Sequence, residues 1–482
     1  MRGGDMKITR SASAVTALAA ALLLPSSVSA GGNADVRINQ PGAGETLPVC
    51  NLQGDVGMAR SGATVVATWF DAGRCEAKGR APVPPLPDIS FVGYAWSEDG
   101  GATWTDAGTI EPPAGTSAIG APAIAAGPEG YFAVAFRAEI AGGSIIAVAR
   151  STDGGRSFAP AGRASGPADD DIFRYRQAIT VSGSDLYVAW EEHVHARRSE
   201  TSQLLLSRST DGGATFRPPV AVAAPTAGSP SRPDLAVDPD DTLHVVWSQG
   251  GVVWTARSTD RASTFGPRSR VMDAPRTGHQ AACLIGGWQQ VLNGNIVASQ
   301  APSLAVDVGG SSDPDHPAFN PRRGTLYVAV AGAPRAGDEA DILFTRSSDA
   351  GRTWSAPRLV NDDATATDQF HPQIEVGDSG RVGVTWYDRR RSTADEPNWQ
   401  IDVYGAVSSD GGESFSPNAR ITDVAHEPGS LFPFLDGADV CAYVERNAMV
   451  PAGGGFLVAW SDNRSGTHEA PDLDVYADIL GT

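Results

Sequence analysis

The sequence "STDGGATF" spans Ser209 to Phe216. An Asp followed by a Gly pair, a hydroxyl residue and an aromatic ring fits a catalytic loop, a calcium loop or a tight turn. The pattern S-x-D-x-G-x-[ST]-[WF] occurs five times, at 97–104, 151–158, 209–216, 347–354 and 408–415. A sixth copy, "STDRASTF" at 258–265, lacks the glycines. A catalytic group does not need six copies, so the repeat indicates a structural unit.

We interpret each copy as a turn held by its Asp. The carboxylate can accept hydrogen bonds from backbone N–H groups two or three residues further on, and Gly supplies the positive φ that such turns require. The aromatic residue is then free to pack between neighbouring units. The turn carboxylates are Asp99, Asp153, Asp211, Asp260, Asp349 and Asp410. Structural calcium is a minor alternative, and no other cofactor is expected.

A second series of segments alternates with these turns. Each segment is short, rich in β-forming residues and apolar on both faces, as in "LYVAW" or "RVGVTW", which predicts strands buried on both sides. The seven segments end at Trp69, Phe136, Trp190, Trp247, Val330, Trp386 and Trp460.

The order of signals within a unit predicts four antiparallel strands. An extended segment, a tight turn, the apolar strand and a third strand precede the Asp-containing turn and a short fourth strand. Repetition of this unit predicts an all-β fold, a β-propeller of four-stranded antiparallel blades. Seven apolar strands favour seven blades, with six as the alternative. The last unit lacks its fourth strand, and residues 34–40 are expected to supply it and to close the ring.

The composition predicts an exported protein. Residues 1–30 have a basic start, an apolar run and small residues at the end, which is typical of a secretory signal peptide. Residues 31–482 are then a single propeller domain, secreted or periplasmic, and we expect a monomer without a membrane span. A net charge of -19 argues against nucleic acid as a partner.

Four cysteines accompany this export signal. Cys50 and Cys75 flank an apolar strand, and we predict that they form a disulfide worth about 3 kcal/mol. Cys283 and Cys441 are either a second pair or free thiols. The spacing of the cysteines does not indicate a metal site.

The repeated turn resembles the Asp-box, or bacterial neuraminidase repeat, of the sialidase superfamily. The resemblance covers the whole chain after the signal peptide and implies a propeller. It also implies an active site over the central channel, on the rim opposite the repeated turns. Sialidases use three Arg residues to hold a substrate carboxylate, an Asp as acid and base, and a Tyr nucleophile activated by a Glu.

Polar residues that follow the apolar strands or lead into first strands supply candidates for these roles. The segment "WEEHVHARR" contributes Glu191, Glu192, His193 and His195. The two His residues could serve as a general base or bind a metal, but a solvated surface loop fits them better. The candidate catalytic residues are Asp388, Tyr387, Tyr175, Glu192 and Asp462. The candidate substrate-binding residues are Arg176, Arg232, Arg389, Arg464 and His371.

Two functions remain open from the sequence. The first is a secreted sialidase-like glycoside hydrolase that acts on terminal sugars, including acidic ones, of glycans. The second is a non-catalytic propeller that binds glycan or protein, which is favoured because the first unit lacks the family's Arg-Ile-Pro motif. The repeated W-x-D-x-R sequence also has a structural alternative, in which Asp and Arg form an ion pair within a loop.

Overall fold

A computed structural model describes most of the chain after the predicted signal peptide. The described ranges are 34–40, 53–72, 91–196, 199–226, 230–283, 287–292, 296–297, 300–335, 337, 339–392, 400–428, 442–443, 446–466 and 472–481. Cys50, Cys75, Cys441 and residues 1–30 lie outside these ranges, and the side chain of Cys283 is likewise not described. The disulfide and signal-peptide predictions therefore stay predictions.

The described residues form 32 β-strands in four-stranded sheets, so the predicted all-β class and the four-stranded antiparallel units are confirmed. The first half of the chain contains β1 (Val36–Arg37), β2 (Gln53–Ser61), β3 (Thr64–Asp71), β4 (Phe91–Ser97), β5 (Thr105–Thr109), β6 (Thr116–Ala126), β7 (Phe132–Ile140), β8 (Gly143–Ser151), β9 (Ala159–Arg163), β10 (Ile172–Ser182), β11 (Asp185–Ala196), β12 (Ser199–Ser209), β13 (Val220–Thr226), β14 (Ser231–Val237), β15 (Leu243–Gln249), β16 (Val252–Ser258) and β17 (Ser269–Asp273). A short 3₁₀ turn, Pro128–Gly130, precedes β7.

The second half contains β18 (His279–Cys283), β19 (Gly287–Leu292), β20 (Ile296–Val297), β21 (Ser303–Val306), β22 (Leu326–Gly332), β23 (Asp341–Ser347), β24 (Arg358–Leu359), β25 (Gln369–Val376), β26 (Val382–Asp388), β27 (Asp402–Ser408), β28 (Ala419–Arg420), β29 (Ala442–Tyr443), β30 (Ala448–Ala452), β31 (Gly455–Asp462) and β32 (Asp474–Leu480). Among the described residues, no helix is long and apolar enough to cross a membrane.

Seven of the sheets follow one plan. Six are meanders of consecutive strands, which we number sheets I to VI: β2–β5, β6–β9, β10–β13, β14–β17, β21–β24 and β25–β28. Sheet VII combines β30, β31 and β32 with β1, so that the N-terminal strand pairs antiparallel with the last strand. An additional sheet of β18, β19, β20 and β29 contains a parallel pair and lies outside this plan.

The seven apolar segments are the second strands of sheets I to VII. The Trp residues that end five of them are almost fully buried, at Trp69, Trp190, Trp247, Trp386 and Trp460. The first strands contact one another in chain order, from β2 through β6, β10, β14, β21 and β25 to β30, and β30 also contacts β2. The first strands therefore face a common interior.

The repeated turns lie beside the hairpins that join first and second strands. Gly100 N–H donates to Ala63 O at 3.1 Å, and Gly154 N–H donates to Gly130 O at 3.2 Å. Within the turn of sheet III, Asp211 accepts hydrogen bonds from the Ser209 hydroxyl at 2.7 Å and from Thr215 N–H at 2.9 Å. Equivalent Ser, Asp and hydroxyl contacts occur in the turns of sheets I, II, IV, V and VI.

An Arg just before the repeated turn reaches forward to the next sheet. Arg150 donates to Asp211 O at 3.3 Å, Arg257 donates to Ala350 O at 3.1 Å, and Arg346 donates to Gly411 O at 2.7 Å. Arg208 makes the corresponding contact with the turn of sheet IV. These side chains tie four consecutive seams between sheets II and VI.

Candidate active site at the channel mouth

Five first strands carry a β-bulge at the same position. Two residues of the first strand face one aromatic residue of the second, which is Trp69, Phe136, Trp190, Trp247 or Trp386. The first bulge residue is left-handed in every case, with φ between 51° and 54°, although it is never Gly. These residues are Asp55, Ala121, Arg176, Arg232 and His371.

A left-handed residue with a side chain costs about 1–2 kcal/mol, and such strain is concentrated at functional sites. The left-handed residues lie five or six positions before the end of each first strand, away from the repeated turns. They mark a level that we call the channel mouth. Three of its five bulge residues were candidates from the sequence: Arg176, Arg232 and His371.

The seam between sheets III and IV brings two of the candidate Arg residues together. The Arg176 guanidinium lies 3.4 Å from Glu191 Oε2 and donates to the Ser231 hydroxyl at 3.1 Å. Glu191 Oε1 accepts a hydrogen bond from the backbone N–H of Arg232. Tyr175 lies beneath Arg176, with the guanidinium carbon 4.6 Å from the ring centroid.

Tyr175 and Glu191 form a cross-strand pair. They lie opposite each other on β10 and β11, and the Tyr175 hydroxyl accepts a hydrogen bond from the Arg176 guanidinium at 3.5 Å. Burial, together with the charge of Glu191, raises the pKa of Tyr175 to about 12. Burial alone would raise the pKa of Glu191, but Arg176, His193 and Arg232 hold it below its ordinary value. The pair is therefore a neutral phenol next to a carboxylate anion.

Glu192 belongs to a different environment. Because β11 continues through Ala196, consecutive residues point to opposite faces of the sheet. Glu192 forms an ion pair with Arg174 at 2.8 Å and accepts from Gln203 at 2.9 Å, and both charged side chains are more than nine-tenths buried. The structure thus brings Glu191, and not the candidate Glu192, to Arg176 and Tyr175.

The candidate Asp388 is bound within its own loop. It accepts from the Trp386 indole N–H at 2.7 Å and from the side chain of Arg390 at 2.9 Å, and burial raises its pKa. Arg389 pairs instead with Asp368 at 2.9 Å, and neither side chain is exposed. These contacts stabilise the loop, and the Arg389 guanidinium is engaged in a buried ion pair.

The second W-x-D-x-R sequence repeats this arrangement. Asp462 accepts from the Trp460 indole at 2.9 Å and from Arg464 at 2.6 Å. Arg464 also pairs with Asp35 at 2.6 Å and with Asp423 at 2.9 Å. Burial alone would raise the pKa of Asp462, but His426 and Arg464 lower it. Asp388 and Asp462 therefore share one structural ion-pair motif.

Tyr387 and His371 lie next to each other in sheet VI. Tyr387 is fully buried, and its hydroxyl accepts from Ser461 N–H at 3.3 Å. The rings of His371 and Tyr387 are 6.5 Å apart. Asn447 of sheet VII donates to the backbone carbonyl of His371 at 2.8 Å. Of the two candidate tyrosines, Tyr387 is fully buried, whereas Tyr175 is partly exposed beside Arg176.

Sequence reasoning did not single out several further charged residues at this level. Asp55 occupies the bulge of sheet I and forms an ion pair with Arg446 of sheet VII at 3.1 Å. A cavity of about 360 Å³ continues inward and is lined by residues of the first strands of sheets I to VII. It contains Asp234 and Glu375, whose pKa values burial raises to about 6 and about 8. Among the described residues, no group of three or more His, Cys, Asp or Glu side chains could hold a metal ion.

A partial signal for the bulges exists in the sequence. Pro follows the left-handed residue in Ala121-Pro122, Arg232-Pro233 and His371-Pro372. The other two bulges, at Asp55 and Arg176, lack Pro. The dipeptide therefore identifies some positions of the mouth and misses others.

Comparison with known proteins finds similarity at the level of structure. No protein-family model matches the chain. No curated protein matches it by sequence. A protein of unknown function from Dyadobacter fermentans is 16% identical with a TM-score of 0.47, over 78% of this chain and 97% of that one.

Two enzymes are among the solved structures that resemble the chain. An α-L-arabinanase from Penicillium chrysogenum, complexed with arabinobiose, is 12% identical with a TM-score of 0.46, over 93% of this chain and 98% of the other. The NanB sialidase from Streptococcus pneumoniae is 10% identical with a TM-score of 0.45, over 93% of this chain and 71% of that one. At these identities the similarity concerns the fold and does not extend to an activity.

Proposed function

We propose that the chain is a secreted, sialidase-like glycoside hydrolase that cleaves terminal acidic sugars of glycans at the channel mouth. Its scaffold is a monomeric propeller of seven blades, sheets I to VII, closed by the N-terminal strand. The cross-strand placement of Tyr175 opposite Glu191, with Arg176 and Arg232 beside the pair, carries the proposal. This combination supplies a nucleophile, a base and two cations on one side of the channel.

The chemistry assigns a role to each group. Guanidinium groups bind carboxylates through paired hydrogen bonds, so Arg176 and Arg232 would hold the acidic group of the sugar. Glu191 accepts the phenolic proton as the Tyr175 oxygen attacks the anomeric carbon. Asp55, fixed by Arg446 at the equivalent bulge of sheet I, supplies the mouth with a second carboxyl group, and we assign it to the leaving-group proton.

Hydrolysis of a fluorogenic α-sialoside and of a panel of other acidic and neutral glycosides tests this proposal. We expect turnover of an acidic glycoside, and a loss of about 10²–10⁴-fold in Tyr175→Phe and Glu191→Gln. Tyr387→Phe and Glu192→Gln are matched controls because they change the same groups outside the cluster. Turnover that Tyr175→Phe leaves unchanged would place the reaction elsewhere.

A non-catalytic propeller that binds glycan is the second candidate. It is favoured by the positions of Arg389 and Arg464, which are held in structural ion pairs, so two of the four candidate Arg residues meet at the mouth. Binding on a glycan array that depends on Arg176, without hydrolysis of any bound glycan, would establish this function instead.

A further inference from the structure

A second cavity opens between sheets IV and V, on the side of the repeated turns. Its volume is about 520 Å³, within the range of small-molecule sites. The wall includes Thr255–Arg257 of β16, the repeated turn that follows it, and 350–352 of the facing turn in sheet V. His244 of β15 lines the same space. We call this space the seam cavity.

The seam cavity lies where a smaller ring replaces a phenol. In sheets III and V, a Tyr of the second strand pairs across the sheet with an Arg of the third, as Tyr187 with Arg208 and Tyr327 with Arg346. In sheet IV the equivalent pair is His244 with Arg257. An imidazole fills less volume than a phenol, so space remains at this seam.

The charge balance of this seam also differs from that of its neighbour. In sheet III, Asp185 pairs with Arg208 at 2.8 Å and with Arg261 of the next turn at 2.9 Å. In sheet IV, Asp238 instead binds His244 Nε2 at 2.8 Å. Arg257 donates to Ala350 O, and among the described residues no carboxylate forms an ion pair with it.

His244 lies in the wall of the cavity, next to Gly351. The side chain is 1% exposed, and its Nδ1 has no hydrogen-bond partner within the described part of the chain. A Cβ added to Gly351, which lines the cavity, would lie 3.7 Å from this nitrogen. A buried polar atom without a partner costs about 1–3 kcal/mol, so the replacement of a phenol by this imidazole is not explained by stability.

The lining has the chemistry of an anion site. Besides His244 and Arg257 it contains Arg352 and hydroxyl groups, and its described residues include no carboxylate although the chain has a net charge of -19. The hydroxyl residues are Thr255, Thr259, Thr264 and Ser269, and of these Thr255 and Thr264 already donate to Val245 O at 3.0 Å and to Asp260 Oδ2 at 2.7 Å. Phe265 and Pro267 add apolar surface beside these donors, which suits the carbon skeleton of a small ligand.

We propose that the seam cavity is a second ligand site, separate from the channel mouth, that binds the oxyanion group of a small molecule. Arg257 is the principal donor, with Arg352, Thr259 and Ser269 beside it, and the ring of His244 closes one side of the cavity. The oxyanion belongs either to a free inorganic ion or to an anionic monosaccharide. The apolar lining favours the sugar.

Isothermal titration calorimetry with inorganic phosphate, sulfate, glucose 6-phosphate and glucuronate distinguishes these sources. We expect the full-length protein to bind at least one of them, with Arg257→Gln weakening the affinity at least about tenfold, the loss of one charge-assisted contact. His244→Tyr should abolish binding, because it restores the residue of the neighbouring sheets and fills the cavity. Tighter binding of the sugar than of phosphate identifies the organic ligand, and equal affinity identifies the free ion.

Two further variants keep the test specific. Arg150→Gln removes the same forward contact at the seam between sheets II and III, and Arg176→Gln removes a cation at the channel mouth. Arg150→Gln should bind every anion like the unmodified protein, and Arg176→Gln should leave unchanged only the binding that Arg257→Gln weakens, because loss of Arg176 affects acidic sugars bound at the channel mouth. The proposal is wrong if no anion binds at millimolar concentration, or if Arg257→Gln binds as well as the unmodified protein, whether or not His244→Tyr folds.

Discussion

Glu191 and Glu192 are adjacent in sequence, but we expect their substitution by Gln to affect different properties. Glu192→Gln should mainly lower stability, and Glu191→Gln should mainly remove function. The Glu192–Arg174 pair is buried on both sides, and breaking such a pair costs about 3–5 kcal/mol. Arg176, the partner of Glu191, is 30% exposed, and the amide oxygen in Glu191→Gln would still accept from Arg232 N–H. Loss of the remaining charge-assisted contacts costs about 2 kcal/mol. Glu192→Gln should therefore be the less stable variant, and Glu191→Gln the one without function.

Denaturant unfolding followed by Trp fluorescence, combined with binding or turnover at the mouth, measures both effects. The pH dependence adds a further check. The pKa of Glu191 is lower in the folded state than in the unfolded state, where it is near 4.5. The carboxylate therefore contributes its full stabilisation at pH values above 4.5, and this stabilisation is lost as the pH falls through the lower, folded-state pKa. The stability difference between Glu191→Gln and the unmodified protein should shrink below about pH 4. If Glu191→Gln is the less stable variant and retains function, the assignment of the two faces is wrong.

Three further outcomes follow from the structure. Ala121→Gly should raise the free energy of unfolding by about 0.5–1 kcal/mol in denaturant titrations, because relief of the left-handed strain exceeds the added chain entropy, whereas Ala123→Gly in the same strand should lower it. The Thr103 hydroxyl and N–H lower the pKa of Asp99 to about 2, so acid titration should remove stability between about pH 4 and pH 2, and Asp99→Asn should flatten that region. Asp462→Asn should lower the midpoint of thermal unfolding and leave activity at the mouth unchanged, since the carboxylate binds Trp460 and Arg464.

The strands of the fold were predictable because their signal is local. Each second strand contains a segment that is apolar on both faces and usually ends at an aromatic residue, and the Asp turn fixes where the third strand ends. The side of each turn followed from the alternation of antiparallel strands. The number of blades is a property of contacts between distant segments and stays part of the proposal.

The site was predictable only in part, for two physical reasons. Gly is the usual sequence signal for a left-handed backbone conformation, but the bulges contain Asp, Ala, Arg and His. The sequence around Arg176 and Asp55 therefore did not predict this conformation. Side chains alternate between the two faces of a sheet only as far as the strand extends, and the sequence "EEHVH" is also compatible with a loop. Because β11 runs through Ala196, alternation selects Glu191 over Glu192.

The two candidate carboxylates of the W-x-D-x-R sequences illustrate another limit. The sequence contains an Asp and an Arg two residues apart in both loops, which suits catalysis as well as an ion pair. The indole N–H groups of Trp386 and Trp460 decide between them, because each donates to the Asp from the preceding strand. That contact depends on rotamers and is not visible in the spacing.

The pairing of β1 with β32 joins two segments that are far apart in the chain. Ile38 is fully buried, its N–H donates to Val475 O at 2.8 Å, and Arg37 pairs with Asp474. During synthesis β1 leaves the ribosome long before β32, so it has no docking place until β32 has emerged. Sheet VII can therefore be completed only after β32 has been synthesised. A chain that ends before Asp474 leaves β1 and one edge of β31 unpaired and accessible to proteases.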